Sequence, residues 1–211
     1  MTGTPSHPGR PVGADGEQTR RRIVTAAMRR VAEVGCSQAT IREIASSADM
    51  TSGSLYHYFA NKSELLSATG EEVEKIVFAR LRAAITRTDD VVDRLDAVLD
   101  ESKRLILDYP YLTPFLRAIR TQSTARIRHG GPKYPGSKAL RDVVIEIVED
   151  ARVQGRLSPE TDAGAAVEAI CALARGLSEQ AASLPPESYD AALSSAKKLI
   201  RGSLFARSSR Q

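Results

Sequence analysis

Apolar residues recur every three to four positions along most of this 211-residue chain, which is the spacing of an amphipathic helix. In the first such segment, from about Thr19 to Val34, Ile23, Ala27 and Val31 fall on one face. A sustained alternation of apolar and polar residues, which would indicate strands, does not occur. The pattern therefore predicts an all-α fold.

Breaks in this pattern divide the chain into helices. We predict helices at about residues 19–34, 40–47, 52–59, 61–84, 91–107, 111–126, 138–154, 159–183 and 186–205. Gly35 stands where a left-handed residue that ends a helix is expected. Thr51 can cap the third helix, and the Asn61-x-x-Glu64 pattern can cap the fourth. The Gly- and Pro-rich segment 129–136 is predicted to be a mobile loop.

The helices at 40–47 and 52–59 are joined by a short turn, as in a helix-turn-helix, whose second helix enters the DNA major groove. This second helix begins with Ser52, Gly53 and Ser54, whose small side chains let free backbone amides approach a base edge or a phosphate. Leu55 and Phe59 are spaced to face inward, so the residues between them cannot all be buried.

Basic residues are concentrated near the N-terminal end of the chain, close to these two helices. The net charge of +4 and pI near 9.2 fit a polyanionic partner without requiring one. Arginines cluster near the N-terminus: Arg10, Arg20, Arg21, Arg22, Arg29 and Arg30. Arg42 is suited to a guanine edge and Lys62 to a phosphate. The alternative is that the arginines only form solvated helix faces.

Other classes of function find no support in the sequence. No apolar run approaches the roughly 18 residues that span a bilayer, and residues 1–17 lack the apolar core of a secretory signal. We expect those residues to form a disordered tail. Cys36 and Cys171 lack metal or redox spacing, and no catalytic motif occurs, so no metal, no cofactor and no enzymatic activity are expected. A cytoplasmic location is expected.

Residues 23–66 resemble the DNA-binding region of the TetR/AcrR family of transcriptional regulators. The similarity lies in TIREIA at 40–45, GSLYHYF at 53–59 and KSELL at 62–66. Two positions depart from the family pattern. Asp49 replaces the usual turn glycine, although Asp tolerates the left-handed region better than most residues. Val31 replaces a common phenylalanine, which predicts looser packing of the first helix.

After the tail at 1–17, the resemblance implies two domains: a three-helix helix-turn-helix DNA-binding domain at 18–66, and a helical effector-binding and dimerisation domain at 67–211. It also implies candidate roles for residues of the first domain. Base contacts are assigned to Arg42, Ser52, Ser54 and His57, with Gly53 allowing close approach. Phosphate contacts are assigned to Thr40, Thr51, Tyr56, Tyr58 and Lys62. A mainly structural role is the alternative for Tyr56, and plain exposure is the alternative for His57.

The larger domain is expected to hold a small-molecule effector, hydrophobic or amphipathic, between the fourth helix and those at 91–154. The expected wall residues are Phe78, Leu105, Tyr109, Phe115, Ile119, Val144 and Ile147. Arg120 or Arg126 would meet an anionic end, and the 129–136 loop would gate entry. The alternative is that the apolar residues form a helical core and the arginines are solvated.

The last two helices, at about 159–205, are rich in Ala and Gly, which lets helices approach closely. The resemblance implies that they pair with a second subunit to form a homodimer, whereas a core within one subunit is the alternative. We therefore predict a repressor that an effector releases from a palindromic operator in double-stranded DNA. The alternative function is a helical small-molecule-binding or scaffolding protein without specific DNA recognition.

Overall fold

The computed structural model describes residues 12–127 and 138–204, and every regular element in these ranges is an α-helix. The predicted all-α fold is confirmed. The helices are α1 Val12–Gln38, α2 Ile41–Ser47, α3 Ser52–Tyr56, α4 Lys62–Ile85, α5 Val91–Asp108, α6 Leu112–Ile127, α7 Lys138–Val153, α8 Ala163–Gln180 and α9 Pro186–Ile200.

The first helix differs from its prediction at both ends. It begins at Val12, so residues 12–17 are helical where a disordered tail was predicted, and residues 1–11 lie outside the described residues. Gly35 interrupts α1 with a φ of 81° and a ψ of 162°, and a last turn then continues to Gln38. The expected positive φ at Gly35 is confirmed.

Capping residues explain where other helices begin. The Asn61 side chain accepts a hydrogen bond from the Glu64 backbone N–H at 2.9 Å, while Glu64 accepts one from the Ala60 N–H at 2.9 Å. The predicted cap of α4 is therefore present, but Glu64 accepts from the N–H one residue before Asn61 and not from that of Asn61 itself. Similarly, α8 starts at Ala163 and not near 159, because the Asp162 carboxylate accepts from the Ala165 N–H at 2.7 Å.

The chain divides into two compact units, Met1–Thr69 and Gly70–Gln211, and α4 contains the point of division. The first unit contains α1, α2, α3 and the start of α4. Its largest buried side chains include Ile23, Ile44, Leu55, Phe59 and Leu65. Val31 is also fully buried, despite its departure from the family pattern.

In the second unit, two apolar clusters pack α5, α7, α8 and α9 together. Leu99 of α5 lies in a cluster with Leu177 of α8 and Leu193 of α9. Val144 of α7 lies in another with Cys171 of α8. No helix in the described part of the chain is long and apolar enough to cross a bilayer.

Candidate functional site

The turn between α2 and α3 has the hydrogen bonds of a Schellman motif. The Asp49 N–H donates to the Ser46 carbonyl at 3.1 Å, and the Met50 N–H donates to the Ala45 carbonyl at 3.0 Å. Asp49 has a φ of 53°, in the left-handed region. The predicted conformation of Asp49 is therefore confirmed, and this residue redirects the chain from α2 into α3.

The start of α2 is fixed by a reciprocal capping box. The Thr40 hydroxyl accepts from the Glu43 N–H at 3.2 Å and donates to the Glu43 carboxylate at 2.8 Å. Arg30 donates to the same carboxylate at 2.6 Å. The hydrogen bonds from Thr40 and Arg30 lower the pKa of Glu43 below its ordinary value. Thr40 thus has a structural task, and its phosphate contact stays a prediction.

The start of α3 is capped by Thr51, which accepts from the Ser54 N–H at 3.1 Å and lies 2.9 Å from the Ser54 hydroxyl. Ser52 and Ser54 are half-buried, while Gly53 is exposed. A Cβ at Gly53 would meet only the Thr51 hydroxyl, at 3.8 Å, which is an ordinary contact. Neither the backbone conformation nor the space around Gly53 therefore requires glycine within the folded unit.

The side chains from Leu55 to Phe59 differ in their exposure to solvent. Leu55 and Phe59 are at most 1% exposed, as predicted. Tyr56 is 52% exposed, His57 is exposed and Tyr58 is half-buried. The predicted helix end at Phe59 is wrong, because regular helix stops at Tyr56 and a turn follows.

The basic residues of the first unit differ in what they contact. Arg42 is exposed, and in the described residues no carboxylate pairs with it. Lys62 is half-buried and donates to the Ser37 carbonyl at 3.0 Å.

Several arginines of the N-terminal cluster have partners within the unit: Arg20 lies 4.6 Å from the Phe59 ring centroid, Arg21 pairs with Glu17, and Arg29 and Arg30 pair with Glu33. The sequence prediction missed these pairs, although the i,i+4 spacing of Glu17–Arg21 and Arg29–Glu33 signals two of them. Arg10 lies outside the described residues.

The second unit contains a partly open cavity of about 680 Å³, a volume that includes its mouth. Its apolar wall includes Val77 of α4, Leu105 of α5, Leu116 of α6 and Leu140 of α7. α8 contributes Arg175, Ser178 and Glu179.

The predicted wall residues coincide with this cavity at one position. Leu105 lines it, whereas Phe115, Ile119, Val144 and Ile147 are at most 1% exposed and lie in the packed core. Phe78 and Tyr109 are half-buried, and neither lines the cavity. Apolar periodicity marks inward-facing positions, but it does not separate a packed residue from one beside a void. The Arg126 side chain and the 129–136 loop lie outside what the structure describes.

Most charged groups at the cavity form hydrogen bonds with other groups of the protein. Glu179 accepts from Arg117 at 2.7 Å and from Arg120 at 2.6 Å. Burial acts to raise the pKa of Glu179, but these hydrogen bonds outweigh it and leave the pKa below its ordinary value. Glu74 of α4 accepts from the Lys138 and Ala139 N–H groups at 3.2 and 2.6 Å, so it caps α7. Burial raises the pKa of Glu74.

The sequence is similar to those of known bacterial regulators. The model of "Bacterial regulatory proteins, tetR family" matches residues 23–69. The HTH-type transcriptional regulator BetI 2 of Chromohalobacter salexigens is 30% identical over 183 residues, covering 82% of this chain and 81% of that protein. The HTH-type transcriptional repressor KstR2 of Mycobacterium tuberculosis is 26% identical over 135 residues, covering 62% of this chain and 65% of that protein.

Among solved structures, the transcriptional regulator FadR from Bacillus subtilis in complex with stearoyl-CoA is similar, with a TM-score of 0.74 and 20% identity. The match covers 88% of this chain and 99% of that chain. The fold and the α2–α3 segment define a helix-turn-helix transcriptional regulator. The chain belongs to the tetR family of bacterial regulatory proteins.

Proposed function

We propose that this regulator represses transcription by binding duplex DNA through the exposed surface of α2 and α3. The observation that carries the proposal is the outward set of Arg42, Tyr56 and His57 over a core that buries Leu55 and Phe59. Arg42 lacks a carboxylate partner in the described residues, so its fork of donors is available for a guanine edge.

The other predicted contacts keep their assigned roles as part of this proposal. Ser52, Ser54 and His57 join Arg42 at base edges, and Gly53 allows close approach. Thr40, Thr51, Tyr56, Tyr58 and Lys62 contact phosphates. Thr40 and Thr51 would do so from caps that already position them at the start of α2 and α3.

We propose a homodimer that binds a palindromic operator, because a two-fold protein matches a two-fold site. Small residues on α8 form an exposed line in the single chain: Ala165, Ala169, Ala172 and Gly176. Leu199 of α9 is 50% exposed, which is a large exposed fraction for an apolar side chain. Pairing of α8 and α9 with a second copy would cover both.

An effector in the cavity of the second unit would release the operator. Such release is a population shift, so the effector must bind the DNA-releasing conformation more tightly than the DNA-bound one. Two features support the assignment: the cavity wall is mainly apolar, and the similar FadR structure contains stearoyl-CoA. α4, which supplies part of the wall, is continuous from the cap at Asn61 to Ile85.

Selection of bound duplexes from a random DNA pool tests this function. We expect a two-fold symmetric site and an affinity that falls steeply with salt, as phosphate contacts require. Arg42→Ala should relax the preference at one base pair in each half-site and cost about 1–3 kcal/mol. Arg152→Ala is the matched control, because Arg152 is an exposed arginine of α7 in the second unit. Arg42 is a cleaner test than Lys62, whose bond to Ser37 also supports the fold.

Two results would count against the proposal. If Arg42→Ala weakened the affinity for every DNA sequence equally, Arg42 would be a phosphate contact. Absence of any preferred duplex would favour the alternative function, a helical small-molecule-binding or scaffolding protein, for which the cavity is the supporting observation.

A further inference from the structure

The cavity of the second unit is lined by one cation, Arg175, that has no carboxylate partner among the described residues. Arg120 is hydrogen-bonded to Glu179, and Glu74 is engaged by the start of α7. Arg175 lines the same cavity and is half-buried, and no carboxylate of the described residues pairs with it.

Two serine hydroxyls of the wall are hydrogen-bonded within their own helices, whereas Thr113 adds one further hydroxyl side chain. The Ser102 hydroxyl donates to the Val98 carbonyl at 2.7 Å, and the Ser178 hydroxyl donates to the Ala174 carbonyl at 2.9 Å. Most of the rest of the wall is aliphatic, with Val73, Val77 and Leu81 on α4 opposed by residues such as Leu105 and Leu116. The cavity therefore offers an apolar wall and one cation without a partner.

We propose that the cavity binds an amphipathic anion whose apolar chain lies along α4 and whose carboxylate or phosphate pairs with Arg175. This inference deepens the proposed function, because it gives the chemical class of the effector. A partly buried guanidinium without an anion carries a desolvation cost, which an anionic ligand group offsets. The planar guanidinium matches carboxylate and phosphate oxygens in a two-point contact, so the pairing selects against a neutral or cationic end group.

Calorimetric titration of the full chain, without DNA, tests the class with probes of one chain length. We expect at least one of two anions, dodecanoate or dodecanoyl-CoA, to bind at least tenfold more tightly than dodecanol and dodecylamine. Dodecanoyl-CoA distinguishes the two sources of anion. Tighter binding of the thioester than of dodecanoate assigns the Arg175 site to phosphate, and tighter binding of dodecanoate assigns it to carboxylate.

Arg175→Gln should weaken the preferred anion by about ten- to a hundredfold, the usual worth of a hydrogen bond to a charged group, and leave dodecanol unchanged. Arg152→Gln removes an equal charge outside the cavity and should change nothing. Leu116→Trp fills the cavity and should abolish binding of every probe. This variant tests the cavity independently if Arg175→Gln fails to fold.

The proposal is overturned if dodecanol binds as tightly as both anions. It is also overturned if folded Arg175→Gln keeps the affinity of the parent, or if Leu116→Trp still binds. These titrations contain no DNA, so a result that overturns the ligand proposal would not count against operator binding. Conversely, loss of specific duplex binding would refute the proposed function without changing the probe affinities.

Discussion

Gly53 is a residue at which the requirements of folding and of the proposed DNA binding can be tested separately. A glycine inside a helix costs about 0.5–1 kcal/mol relative to alanine. At position 53 the folded unit has room for a Cβ, with Thr51 3.8 Å away as its nearest neighbour. The fold does not need glycine here, so under the proposed function the part that glycine plays at position 53 is to let DNA approach closely.

Gly53→Ala is therefore expected to keep or raise the free energy of unfolding, by up to about 1 kcal/mol, while weakening operator binding. Chemical denaturation and a duplex-binding titration measure the two effects. Gly70→Ala is the control, because Gly70 lies in α4, outside the proposed DNA surface, and a Cβ there meets nothing within 4 Å. A Gly53→Ala protein with the operator affinity of the parent would show that this surface does not approach DNA closely.

Local residue chemistry made several single positions predictable. The positive φ of Gly35 and Asp49 and the caps at Thr51 and Asn61 follow from interactions within a few residues, which the sequence displays directly. Arg20 on the Phe59 ring was not predictable in this way. Its partner is 39 positions distant in the chain, and sequence spacing carries no information about such a contact.

At the scale of helices, the sequence predicted the order and approximate extent of the elements but not the wall of the cavity. Leu105 and Phe115 both occupy inward positions of amphipathic helices, yet Leu105 borders the cavity and Phe115 is packed in the core. Ion pairs between helices were also missed. Glu179 of α8 joins Arg117 and Arg120 of α6, although these residues are about 60 positions apart.

The α6–α8 ion pairs predict a pH dependence of stability. The pKa of Glu179 is lowered in the folded state, so its contribution is fully present above its unfolded value of about 4.3 and is lost as pH falls through the folded value. Glu179→Gln should therefore flatten the acid limb of the stability curve, by at most about 1 kcal/mol, because Glu179 is only half-buried and its partner Arg117 is exposed.

Denaturant midpoints measured between about pH 5 and pH 3 compare this variant with the parent. Glu160→Gln is the control, because Glu160 is an exposed carboxylate with no ion pair in the described part of the chain. Identical acid limbs for Glu179→Gln and the parent would mean that the α6–α8 pairs do not form in solution.

At the scale of the whole molecule, the family places a DNA-binding unit and a larger helical unit in one chain, and α4 runs through the boundary between them. The sequence predicted the first unit well because the function of this unit depends on a short continuous segment. The second unit depends on contacts between distant helices, so periodicity predicted its fold class and left its cavity undetermined. The proposed dimer is the remaining whole-molecule property, and the structure indicates how to test it.

Leu199→Glu should convert a dimer of the parent into a folded monomer and abolish operator binding, because an unpaired charge in an apolar interface carries a large desolvation cost. Leu199 is a better site than Leu173, which is half-buried against the Leu99–Leu177–Leu193 cluster within one chain. Leu107→Glu is the matched control, since Leu107 of α5 is 67% exposed and should tolerate the charge. Light scattering at micromolar concentration measures the mass. A monomeric parent, or a Leu199→Glu protein that stays dimeric, would rule out pairing through α9.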